Sequence, residues 1–311
     1  MKFIIRIGCV AAIFYLQSCG GSAIKHKNDD QEQTAGKSGK SKIPVPAATT
    51  NLIIKDDKDI VGYWVGMFGP DVTGPDTTDY DEVDNEGYNK INISIDEING
   101  TKIKGHTVIA GKVRFFKCGM EKNGSKYEFA FTGGADEKDD GAFAFSITEG
   151  DTLMKATWNG GSKSSGFDYK LTKSLFRYDP NWKLSEVNYI DYKKSKTVKE
   201  KTHDGETYTQ SAYATTSDDL YKHNPSSEVL TKEDVANLKK ADLLILRNSI
   251  FARHGYTFKK PLLNFFFSQQ PWYVPLSTDV TAELTDTEKK NLKLMIPYEK
   301  NAQEYYNAFG R

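Results

Sequence analysis

Residues 250–256 read Ile-Phe-Ala-Arg-His-Gly-Tyr, a fixed cation beside a titratable imidazole just before a glycine. Arginine presents a planar fork of donors suited to carboxylate or phosphate, and histidine exchanges a proton near neutral pH. On one face the two could hold an anion and move a proton. A helical projection separates them. With Leu243 at zero and about 100° per residue, His254 falls at about 20° and Arg247 at about 40°, among Leu244, Leu246, Ile250 and Phe251. Arg253 falls at about 280°, on the edge of that apolar face. Arg247 and His254 therefore point inward, and buried polar groups must be paired. Glu288 and Asp286 are the candidate carboxylates. Arg253 is left as the residue positioned to meet a ligand, with Tyr256, Trp272 and Tyr273 as further candidate binding side chains. The competing reading of Trp272 and Tyr273 is core packing.

Other chemistry lacks its spacing. The five histidines, His26, His106, His203, His223 and His254, are widely spread. The sequence contains no HExxH, no CxxC and no HxH, so no metal site is assigned. It contains no G-x-S-x-G elbow, P-loop or Rossmann fingerprint, so no catalytic residue and no cofactor is assigned either. The acidic stretch 69–87 invites a calcium loop starting at Asp79, but its fifth position is Val83, which offers no side-chain oxygen. It reads as a solvated loop.

The elements that must position these residues fall into two kinds. From about residue 58 the apolar pattern has period two, as in "INISIDEI" (91–98), with the Asn99-Gly100 hairpin signal behind it. About eight strands are expected, near 60–68, 90–98, 101–109, 112–118, 126–132, 142–149, 151–158 and 167–176. Short connections predict an antiparallel meander closed or nearly closed into a barrel. Residues 181–228 are polar, include the lysine-rich 193–201, and read as a solvated connector with a hairpin closed near 203–206. From about 229 the period turns helical. Thr231 with Asp234, and Thr285 with Glu288, are capping boxes. Gly255 suits the left-handed position after a helix, Pro261 the first turn of another. Pro297 is expected to kink or restart the last helix. The fold class is thus α+β: an N-terminal antiparallel β-barrel or meander plus a small C-terminal α-helical domain.

The chain has 311 residues, with 42 Lys+Arg against 42 Asp+Glu and a formal net charge of zero, which argues against an electrostatic nucleic-acid binder. It begins with Lys2, Arg6 and an apolar run too short to span a bilayer comfortably, ending in Leu16-Gln17-Ser18-Cys19. This stretch resembles the bacterial lipobox. The resemblance implies a signal peptide over 1–18 and lipid attachment at Cys19, with membrane contact through that lipid. Residues 19–55 then read as a flexible tether. Cys118 is the remaining cysteine outside this segment and reads as a small buried side chain.

Two more resemblances bear on the folded parts. Gly62-Tyr63-Trp64, with Arg177 after the last strand of the 56–180 β-domain, is similar to the lipocalin superfamily signature, which implies stacking of Trp64 on Arg177. "LRNSIFARHGYTF", "FFFSQQPWY" and "LTDTEKKN" resemble the YARHG domain over the helical region 229–311. The matching positions include Arg247, Asn248, Arg253, His254, Gly255, Tyr256, Trp272, Tyr273 and Glu288, with Phe251 in place of the family's first tyrosine. That resemblance implies an extracytoplasmic module. The expected protein is a lipid-anchored cell-envelope binding or interaction module that meets an envelope protein or cell-wall partner. Two alternatives stand beside it: a carrier of a small apolar ligand in the barrel, and a hydrolase or peptidase-associated factor acting on wall material. His254 and Arg247 are expected to clamp helices rather than react.

Overall fold

The computed structural model describes residues 53–68, 89–132, 141–159, 167–187, 189–201 and 203–303. The proposed signal peptide, Cys19, most of the tether and the acidic loop lie outside the described residues. All described residues belong to one compact unit, Pro44–Arg311.

Eight antiparallel strands close into a barrel: β1 (Gly62–Phe68), β2 (Asn89–Asn99), β3 (Lys102–Ile109), β4 (Lys112–Asn123), β5 (Lys126–Thr132), β6 (Ala142–Thr148), β7 (Leu153–Asn159) and β8 (Phe167–Ser174). Each pairs with the next, and β1 returns to β8 through Tyr63↔Ser174, Trp64↔Lys173 and Val65↔Thr172. Closure leaves no free edge. The alternation places one set of side chains inside. Trp64, Ile93, Phe116, Phe129, Phe131 and Phe145 are among the buried interior residues. Their rings stack, with Phe116 and Phe131 centroids at 3.8 Å and Phe129 and Phe145 at 5.0 Å. Each such buried side chain contributes roughly 1.5–3 kcal/mol by leaving water.

Trp64 is fully buried and donates from Nε1 to the Ile60 carbonyl at 2.8 Å. The cation over its ring is Lys173, 6.0 Å from the centroid, and Arg177 is exposed. The expected Trp64–Arg177 stack is therefore not the arrangement found. The register explains it. Lys173 sits directly across the ladder from Trp64, whereas Arg177 lies three residues past the end of β8.

The outer face of β1–β3 is not left to water. Tyr63 and Val65 pack with Phe176, Val274 and Leu276 in a separate apolar cluster. Asn92 donates to the Pro275 carbonyl at 3.0 Å, and the Lys90 ammonium donates to the Gln270 and Tyr273 carbonyls at 2.7 and 3.0 Å. Gly111 N–H donates to Thr257 Oγ1 at 3.0 Å, and a Cβ at Gly111 would stand 2.7 Å from Lys259 Cβ. The polar positions of β2 that the alternation sends outward, Asn92 and Ser94, are consequently buried.

Residues 181–228 hold a two-stranded ribbon, β9 (Ile190–Lys201) paired with β10 (Thr207–Thr215). Four helices follow: α1 (Lys232–Ala236), α2 (Lys240–Arg253), α3 (Pro261–Ser268) and α4 (Asp286–Asn301). Thr231 and Asp234 cap α1, and Thr285 and Glu288 cap α4, each reciprocally. Pro261 opens α3. Pro297 does not restart α4, which runs through it to Asn301.

Candidate functional site

The Arg-His-Gly stretch ends α2. Gly255 adopts φ +80, and a Cβ there would press on the Leu276 side chain at 2.8 Å, so only glycine makes this turn without strain. Its carbonyl accepts from Leu276 N–H at 2.7 Å. The turn thus aims the helix end at the segment that covers the barrel.

Arg253 is 1% exposed. Its Nε and Nη2 donate to the Trp182 carbonyl at 3.0 and 2.7 Å, and Nη1 donates to Ser249 Oγ at 2.7 Å. The guanidinium lies 5.4 Å from the Trp272 ring, and Trp272 stacks on Trp182 at 5.6 Å. Burial lowers the Arg253 pKa to about 10, which still leaves it charged at neutral pH.

His254 faces the other way along the same lock. Its Nε2 lies 2.8 Å from Glu288 Oε2, with both residues buried. Tyr178 stacks on the imidazole, centroids 4.2 Å apart and planes 14° apart, and its hydroxyl donates to Glu288 Oε1 at 3.1 Å. Thr285 N–H and Oγ1–H also donate to Glu288. Burial pushes the Glu288 carboxyl up, but the bonds from His254 and Thr285 outweigh it and hold the pKa below its ordinary value. Burial, then the Glu288 charge, pushes the Tyr178 phenol up to about 12.

Arg247 pairs in bidentate fashion with Glu299, Nε to Oε2 at 2.6 Å and Nη2 to Oε1 at 3.2 Å. The two pairs run in opposite senses along the helices, Arg247 in the middle of α2 with Glu299 near the end of α4 and His254 at the end of α2 with Glu288 near the start of α4, so α2 and α4 are antiparallel. Asn248 donates to the Leu244 carbonyl at 2.7 Å within α2.

Several expectations change here. Arg253 is not at a rim open to ligand. Its edge position on the helix meets a second cover, the 178–182 segment arriving from β8. Glu299, not Glu288 or Asp286, answers Arg247. Tyr273 is 1% exposed and its hydroxyl donates to the Tyr256 carbonyl at 2.9 Å, so it is a core residue. Trp272 is half-buried and donates to the Lys183 carbonyl at 2.8 Å, and Tyr256 is half-buried against Phe251 and Phe258. Tyr178, Trp182, Ser249 and Glu299 were not foreseen. Glu299 carried a signal, because eleven residues after Glu288 is about three helical turns and the same face. The Trp182 partner is a backbone carbonyl and carries none.

The arrangement ties separate parts of the same chain together. A second histidine–carboxylate contact, His106 Nδ1 to Asp96 Oδ2 at 2.8 Å, sits on the outer barrel face beside the exposed Phe115. Among the described residues no group of three or more His, Cys, Asp and Glu side chains could hold a metal. The Cys118 thiol is pushed up to about 11 by burial, which disfavours the nucleophilic thiolate.

Comparison with curated proteins and with solved structures gives no match. Comparison with protein families gives one at the lock and its surroundings: residues 221–300 match the YARHG domain. The antiparallel helices, the Arg-His-Gly turn and the covering segment after it therefore make up, with the short elements before them, a YARHG domain at the C-terminal end of this chain.

Proposed function

We propose that the protein is a lipid-anchored interaction module of a bacterial cell envelope, held by Cys19 and without a catalytic role of its own. One observation carries the non-catalytic part. The Arg253 and His254 side chains, the two best suited to chemistry, are buried and bonded inward to Trp182, Ser249 and Glu288. The lipobox-like sequence ending at Cys19 and the extracytoplasmic character of YARHG domains support the location. The barrel interior is occupied by stacked aromatic rings, which supports a structural platform over a carrier of small apolar ligands.

The test is crosslinking of the full chain in envelope preparations, read together with release of soluble wall fragments. Discrete crosslinked adducts without fragment release are expected. Fragment release that disappears in a carboxylate variant would overturn the reading and restore a hydrolase.

A further inference from the structure

Strand β9 carries Lys193, Lys194, Lys196, Lys199 and Lys201, and β10 opposite it carries no charged residue. Between 193 and 201 the only carboxylate is Glu200, so the net charge over those nine residues is 5 − 1, or +4. Tyr192, Tyr208 and Tyr213 are 39–48% exposed, with Tyr192 and Tyr213 meeting edge to face at 5.1 Å. The ribbon is rooted at its base, where Ala214 and Tyr189 are buried and Thr216 N–H donates to the Tyr189 carbonyl. Among the described residues it has no third strand. A two-stranded ribbon of this kind is marginal in water by itself.

Three features select the cover it fits. Lysines along β9 and the register shift between Tyr213 and Ala214 both disfavour addition of another strand. The acids sit at the ends, Asp191 at the base and Asp204 and Glu206 at the turn, so positive charge runs along the length and not at the tip. Tyrosine with lysine is the pairing that sits at a membrane–water boundary, ring at the headgroup level and ammonium on phosphate.

We propose that the β9–β10 ribbon lies on an anionic lipid surface by the face that carries Lys199, Lys201 and Tyr213. The inference rests on the envelope reading above. A tether over residues 19–55, 37 residues long, would have a random-coil reach of about 30–36 Å. That is comparable to the ribbon's own length of about 40 Å. The anchor and the ribbon can thus engage one bilayer.

The experiment uses residues 20–311, which keep every described element and omit both the lipid site and the apolar leader. Co-sedimentation is measured with phosphatidylcholine vesicles, with vesicles containing about one-third phosphatidylglycerol, and with isolated wall sacculi. Binding to the anionic vesicles alone is expected, weakening with salt. The double variant Lys199→Ala/Lys201→Ala, both on one face of the strand, should lose roughly 25-fold in partitioning, at roughly five-fold per lysine. These side chains are exposed, so its melting temperature should match the parent and serves as the folding control. Equal binding to both vesicles, an unaffected double variant, or binding to sacculi in preference to vesicles overturns the proposal. Failure of the envelope reading shows separately, as absence of lipid on Cys19 in the full chain expressed in a bacterium.

Discussion

The guanidinium of Arg253 donates two N–H groups to a single backbone carbonyl, that of Trp182. Trp182 lies eight residues past the end of β8, and Arg253 is the last residue of α2. The contact therefore ties the exit of the barrel to the core of the YARHG domain. Its third donor and the Trp272 ring leave the cation no unpaired face toward solvent.

Arg253→Ala should lower stability by about 2–4 kcal/mol, because it strands a carbonyl and empties a buried volume. Arg253→Lys should recover little of this, since an ammonium cannot reproduce the planar fork. Urea denaturation of the three proteins checks it. A lysine variant as stable as the parent would show that charge alone suffices.

His254→Ala should cost about 1–3 kcal/mol, because it leaves the buried Glu288 Oε2 short of a hydrogen bond. Glu288 adds a pH signature. Its pKa is lower folded than unfolded, despite the opposing effect of burial, because of the bonds from His254 and Thr285. Its contribution is complete above the ordinary value of 4.5 and is lost as pH falls through the folded value. Denaturation midpoints of the parent and of Glu288→Gln should converge as pH drops below 4.5, and a constant gap would contradict the assignment.

Lys90 gives the opposite end of the pH scale. Burial between barrel and helices lowers its pKa from 10.5 to about 8. Between those values the unfolded chain binds the proton and the folded one releases it, so this group makes stability rise with pH. The difference in stability between the parent and Lys90→Met should change across pH 8–10.5 and be flat below it. A difference independent of pH throughout would show that the ammonium is not desolvated.

Gly255→Ala should destabilise by about 1–2 kcal/mol from left-handed backbone strain alone. The close approach to Leu276 adds to that. Gly255→Ala combined with Leu276→Ala should relieve the crowding but keep the backbone cost. Thermal melts of the single and double variants separate the two.

Much of this was legible in the residues. Alternation located all eight barrel strands, and Thr231–Asp234, Thr285–Glu288, Pro261 and Gly255 marked helix ends where the structure has them. These are local signals, written within four residues of the feature. What escaped was long-range. The projection placed His254 inward correctly, but it assumed a single covering element. Arg253 is buried because a second one, from residue 178 to 182, closes over it. The alternation sends Asn92 and Ser94 to the outer face, where they are buried for the same reason. Polar residues opposite an apolar face are exposed only when nothing packs there, and here the 274–276 segment does.

The covering of β2 on both sides bears on how this chain can come apart. Its inward isoleucines belong to the barrel core, while Lys90 and Asn92 on its outward row donate to carbonyls of the helical region. Melting the helical region alone would leave Asn92 and Lys90 without those partners and bare Tyr63 and Val65. Partial unfolding is thereby penalised from both directions. The barrel and the helical region should therefore melt as a single cooperative unit, with no separate transition for the helical region in a bulk melting experiment.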